Sequence, residues 1–135
     1  RFVTLFYAVL NLEGELSYCN AGHNPPFLVR RNGIQRLETG GMPLGLFDPT
    51  PLEQETVTME PGDFVVTFSD GVSEAMNAEG EEFEDERIQS SIDGSAPDAQ
   101  TQLEHLFSSV KTFTAGAPQN DDVTVLVVSY RGSTT

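Results

Sequence analysis

Gly62-Asp63-Phe64-Val65-Val66-Thr67-Phe68-Ser69-Asp70-Gly71 is the stretch on which the fold turns. Pro61-Gly62 is a turn signal, and five residues that are β-branched or aromatic follow Asp63. That composition predicts a strand covered on both faces. The strand stops on Asp70-Gly71. A carboxylate at the end of a buried strand is costly unless it meets a cation or hydrogen-bond donors, so the partner of Asp70 decides much of the chemistry. Asp-Gly is also a hairpin signal. However, Val72-Ser73-Glu74-Ala75-Met76-Asn77 lacks the alternation of a return strand and reads as a short helical turn.

Upstream, Phe2–Leu10 is a long strand candidate, and Asn11-Leu12-Glu13-Gly14 turns the chain into a second strand over Glu15–Cys19. Asn20–Pro26 contains a glycine and two prolines and reads as a loop. Phe27–Arg30 and Ile34–Leu37 form a hairpin around Asn32-Gly33, a favoured turn pair. The glycine-rich Thr39–Gly45 lacks the following helix that a phosphate-cradling loop needs, and reads as a connection. Glu53–Met59 alternates as a half-buried strand does.

Downstream, Glu82–Asp93 carries Phe83, Ile88 and Ile92 on a loose helical period. Ser95-Ala96-Pro97-Asp98 then predicts a helix start, with a capping hydroxyl, an early proline and an acid in the first turn. Ala99, Leu103, Leu106, Phe107, Val110 and Phe113 share one face of that helix, which Gly116 and Pro118 end. Val123–Tyr130 is the last buried strand, and Asp121-Asp122 precede it. If this strand and Phe64–Phe68 are antiparallel neighbours, Asp70 and Asp121 fall on one edge of the sheet. Alternation along a strand would send Asp121 and Asp122 to opposite faces.

The 135 residues suit one domain, or part of one, with enough chain for a real core. With 7 basic and 21 acidic residues, the formal net charge is −14. That surface argues against nucleic acid and anionic membranes as partners. Twelve of the acids lie in Glu53–Glu86, a segment without Lys or Arg. They form either a solvated acidic face or, in part, the surround of a divalent cation. The single cysteine, Cys19, excludes an internal disulfide and is expected to be a buried, inert thiol in a reducing, cytoplasmic setting. No apolar run has the length of a membrane span.

Carboxylate clusters select hard cations such as Mg²⁺ or Mn²⁺. Two histidines without metal spacing and one cysteine do not make a zinc site. A paired metal site can polarise phosphoryl oxygens and supply a hydroxide nucleophile near neutral pH. Spacing alone leaves a second reading open, in which Asp70 and Asp121 cap turns.

Several motifs occur together in order: Phe2-Val3-Thr4 with Tyr7, Asn20–Pro26, Gly41-Met42-Pro43-Leu44-Gly45, Gly62-Asp63, Ser69-Asp70-Gly71-Val72-Ser73-Glu74-Ala75, and Asp121-Asp122-Val123-Thr124. In this ordered set the chain resembles the SpoIIE/RsbU-type branch of the metal-dependent (PPM, type 2C) protein serine/threonine phosphatases. The resemblance implies an α+β fold, an α/β/β/α sandwich of two antiparallel sheets flanked by helices. Residues 1–135 would form a single domain, the C-terminal portion of the phosphatase domain. It also implies hydrolysis of phosphoserine or phosphothreonine on a regulatory protein by metal-activated water, with Mn²⁺ or Mg²⁺ in a two-metal site. The expected partner is a STAS-type anti-sigma-factor antagonist.

Carried over residue by residue, Asp70 and Gly71 match the family's Asp-Gly metal motif. Asp121 matches its late metal-binding aspartate, and Asp122 is the neighbour. Asp70 and Asp121 are thus the catalytic candidates. His23 and Asn24 belong to a loop expected to approach the cleft. An anchoring role is favoured for His23, because metal-bound water needs no obligatory imidazole.

Two residues depart from the family pattern and read as peripheral: Glu84 where glycine is usual, and Asn11 where aspartate is frequent. The family's first metal motif, a Gly-Asp-x-x-Asp-like segment, precedes the Phe-x-Thr strand, within which this chain begins at Arg1. The expectation is a fold incomplete at its N-terminus, with a weak or absent metal site and a sheet edge open to self-association. A non-catalytic interaction domain that keeps the phosphatase fold is the alternative.

Overall fold

The computed structural model describes residues 1–133. Its strands are β1 (Leu5–Leu10), β2 (Glu15–Ala21), β3 (Phe27–Arg30), β4 (Gly33–Arg36), β5 (Gly40–Gly41), β6 (Glu55–Thr58), β7 (Phe64–Phe68) and β8 (Val125–Ser129). Its helices are α1 (Asp70–Ser73), α2 (Glu84–Ser91) and α3 (Ala99–Thr114).

β7 lies inside the antiparallel sheet β4-β3-β7-β8, as its apolar run predicts. Phe64, Val66 and Phe68 meet Val72, Ile88 and Leu106 from the helices, while Val65 meets Leu16, Tyr18, Leu28 and Met59 on the opposite face. Each such side chain, once fully buried, contributes about 1.5–3 kcal/mol relative to exposure. The strand is therefore held from both sides, and its C-terminal end is a fixed point.

The other sheet has β1 at its edge, with β2 next to it and both β5 and β6 on the far side of β2. Its pairs are antiparallel except β2 with β5, which run parallel over Asn20↔Gly40 and Ala21↔Gly41. Part of the glycine-rich connection is thus a short strand. A Cβ on Gly40 would stand 1.8 Å from the Asn20 carbonyl oxygen, so only glycine lets the two backbones approach. The described layers are helices, sheet and sheet. On the outer face of β1, Leu5, Tyr7 and Val9 stay exposed, whereas Phe6 and Leu10 pack inward. From the described helices, Val72, Ile88, Leu106 and Val110 bury against the β7 sheet.

Local details differ from the sequence expectations. The β3–β4 turn is Arg31-Asn32, because Gly33 already pairs with Arg30. Asp98, rather than Ser95, caps α3, its side chain accepting from the Thr101 N–H at 2.7 Å. Ser95 instead hydrogen-bonds Asp93 in the preceding turn. Gln102 is fully buried because its amide closes both a donor and an acceptor bond with the Asp93 backbone. Cys19 is half-buried rather than enclosed, since it falls on the alternate side of β2 from Leu16 and Tyr18. No helix among the described residues is long and apolar enough to cross a membrane.

Candidate metal centre

The β7–β8 register sets Phe68 opposite Val125, which brings the end of one strand to the start of the other. Ser69 fastens the junction. Its N–H donates to the Thr124 carbonyl at 2.9 Å, its hydroxyl donates to the Asp122 carbonyl at 3.1 Å, and that hydroxyl accepts from the Thr124 N–H at 3.0 Å. Next to it, a Cβ on Gly71 would stand 1.9 Å from the Asp122 carbonyl oxygen. Gly71 is therefore needed for the close approach of α1 to the segment before β8.

This junction places Asp70, Asp121 and Asp122 along one cavity of about 450 Å³, with His23 and Asn24 from the β2–β3 loop. The two sheet-edge aspartates fall together as the antiparallel pairing predicts. Asp70 is exposed, because β7 ends at Phe68 and Asp70 opens α1. It therefore escapes the burial cost expected at the strand end, and it accepts a hydrogen bond from the Asn24 side-chain amide. The expectation that Asp121 and Asp122 diverge fails for a simple reason. β8 starts only at Val125, so strand alternation does not reach them, and both line the cavity.

The β2–β3 loop is held from within. Buried Asn20 donates to the Leu37 carbonyl at 3.2 Å and accepts from the His23 N–H at 2.8 Å. The His23 Nδ1 lies 3.0 Å from the Asn24 carbonyl. A carbonyl can only accept, so this tautomer carries its proton on Nδ1. The ring thereby hydrogen-bonds within the loop that presents Asn24 to Asp70. Gly71 follows Asp70 directly and lies against the Asp122 backbone; it is not among the residues lining this cavity.

Sequence reasoning missed Ser69 and Asn20 as positioning residues. Ser69 carried a signal, since it directly precedes the Asp-Gly pair. The importance of Asn20 depends on a partner seventeen residues away, Leu37, which no local pattern shows.

The donor set is oxygen only and suits Mg²⁺ or Mn²⁺. Its number is small. Among the described residues no three His, Cys, Asp or Glu side chains come together closely enough to hold an ion. The three aspartates line one cavity without converging on a point, so in kind they fit a hard cation and in count they form part of a ligand set.

The family model for Stage II sporulation protein E (SpoIIE) matches residues 1–131. The chain belongs to the SpoIIE family. Within this family's neighbourhood it is 30% identical over 132 residues to Protein IcfG of Synechocystis sp., covering 96% of this chain and 21% of that protein. It is 37% identical over 82 residues to the phosphoserine phosphatase RsbU of Bacillus subtilis, covering 58% of this chain and 24% of RsbU. Its fold matches the phosphatase domain of the cell fate determinant SpoIIE from Bacillus subtilis with a TM-score of 0.70 at 20% identity, covering 98% of this chain and 58% of that one. The α+β sandwich of the PPM-type phosphatases is therefore the fold of this SpoIIE-family chain. The chain spans under a quarter of the length of each of these two curated relatives.

Proposed function

We propose that this SpoIIE-family chain is part of a metal-dependent phosphatase that hydrolyses phosphoserine or phosphothreonine on a regulatory protein. One observation carries the reading: Asp70 and Asp121, from the ends of adjacent antiparallel strands, line the same open cavity. Asp70, Asp121 and Asp122 would hold Mn²⁺ or Mg²⁺, with further ligands from outside the described residues. A bound divalent cation of this kind polarises a phosphoryl oxygen and makes hydroxide available near neutral pH. This chain's own contribution is to fix the carboxylates. Ser69 and Gly71 hold α1 against the Asp121-Asp122 segment, and Asn24 orients the Asp70 carboxylate. A STAS-type phosphoprotein is the proposed substrate, in keeping with the resemblance of the ordered motifs to the SpoIIE/RsbU branch.

The small carboxylate count favours a second reading, an interaction domain that binds a signalling protein without turnover. Phosphate release from a phosphoserine protein by the native protein containing this chain separates the two. The phosphatase reading expects release that is abolished by a chelator and restored by Mn²⁺. Substrate binding with no release at any Mn²⁺ concentration would establish the interaction domain instead.

A further inference from the structure

The apolar arc of α3 is wider than the core uses. Leu106 and Val110 are buried, but Phe107 remains 39% exposed. It stands on the wall of a second cavity, of about 530 Å³, which Met76, Ala117 and Val123 also line. Gly71 and Asp121 belong to this wall as well, and Asp121 also lines the carboxylate cavity. The start of α1 and Asp121 thus form a ridge between the two hollows. The apolar hollow also carries Glu74, Glu82 and Lys111, so with Asp121 three carboxylates face one ammonium.

We propose that this hollow is a substrate subsite that takes a large apolar side chain beside the phosphorylated residue, in a segment that also carries a basic residue. The proposal rests on the phosphatase reading and assigns it a sequence preference. Continuity with the carboxylate cavity across a single ridge lets one extended segment occupy both. The volume falls in the range of pockets that enclose sizeable apolar groups, so it suits a Leu or Phe side chain. The acidic surround favours a cationic flank and opposes an acidic one. One methylene more or fewer in an apolar pocket discriminates by about 10–200-fold, which sets the size of the effect to look for.

The test uses the native protein containing this chain, matched phosphoserine peptides with Leu or Asp on either side of the phosphoserine, and p-nitrophenyl phosphate. The unmodified protein should prefer a Leu-bearing peptide over its Asp counterpart by about tenfold or more in kcat/KM. Ala117→Phe, which fills the hollow, and Phe107→Ala, which removes a wall, should each erase most of that preference through KM. Both should leave p-nitrophenyl phosphate turnover within about twofold of normal, because neither residue belongs to the carboxylate site. Equal kcat/KM for the Leu and Asp peptides, or equal losses on peptide and p-nitrophenyl phosphate in both variants, would overturn the subsite while leaving the phosphatase reading standing. Absence of turnover on every substrate by the unmodified protein would overturn both.

Discussion

A methyl group added at Gly71 would stand 1.9 Å from the Asp122 carbonyl oxygen, so α1 and the segment before β8 cannot keep their separation. Overpacking of this sort costs about 1–3 kcal/mol. The displaced atoms are those that set Asp121 against Asp70, and a shift of about 1 Å at a reacting centre can cost about a hundredfold in rate. Gly71→Ala is therefore expected to lower both the melting temperature and phosphate release, the second far more than the first. Unchanged kcat at saturating Mn²⁺ would show that the close contact is not what positions the aspartates. Glu84 makes a different case. It adopts φ +61°, the left-handed region where a side chain is strained and glycine is not. This gives a physical reason for the glycine usual at the matching family position, and it makes Glu84 a departure with a backbone cost. Glu84→Gly should raise stability by about 0.5–1 kcal/mol, a few degrees in Tm by calorimetry. A lower Tm would mean that Glu84 makes compensating contacts.

At the scale of elements, α3 is the helix whose start depends on charge. The Thr101 N–H bound to Asp98 holds that carboxyl below its ordinary value, and the Ser95 N–H does the same for Asp93. A carboxyl depressed in the folded state contributes stability above its unfolded pKa and loses it as pH falls through the folded one. Thermal stability should accordingly fall below about pH 4. Asp98→Asn keeps an acceptor at the cap and should flatten that acid limb while leaving Tm at neutral pH little changed. An acid limb of the same slope in the variant would remove Asp98 from the explanation.

The same elements show how far the sequence was legible. The core strand Phe64–Phe68, the final strand and the body of α3 were readable because periodicity and composition are local signals. Their juxtaposition at Asp70 and Asp121 followed from one assumption, antiparallel neighbours, which the register bears out. The exposure of Phe107 and the β2–β5 pair were not readable, since each depends on how elements distant in sequence come together, and nothing along the helix marks Gln102 for its bonds to the Asp93 backbone.

For the whole molecule, the described layers place every candidate aspartate at one edge of the β7 sheet, away from the buried cores on its two faces. Changes at the site should therefore alter chemistry without unfolding the chain. Asp70→Asn is the most direct test, because it preserves shape while removing a carboxylate. Partners one step removed from a metal are worth about 10–100-fold in affinity or activity, so loss of a proposed ligand should cost at least about a hundredfold. The decisive measurement is phosphoserine hydrolysis by the native protein and its Asp70→Asn variant across a Mn²⁺ titration, with circular dichroism to monitor the fold. The account predicts an unchanged spectrum and turnover reduced at least about a hundredfold even at saturating Mn²⁺. Near-normal turnover of the variant under those conditions would contradict it, leaving Asp70 with only a structural role at the start of α1.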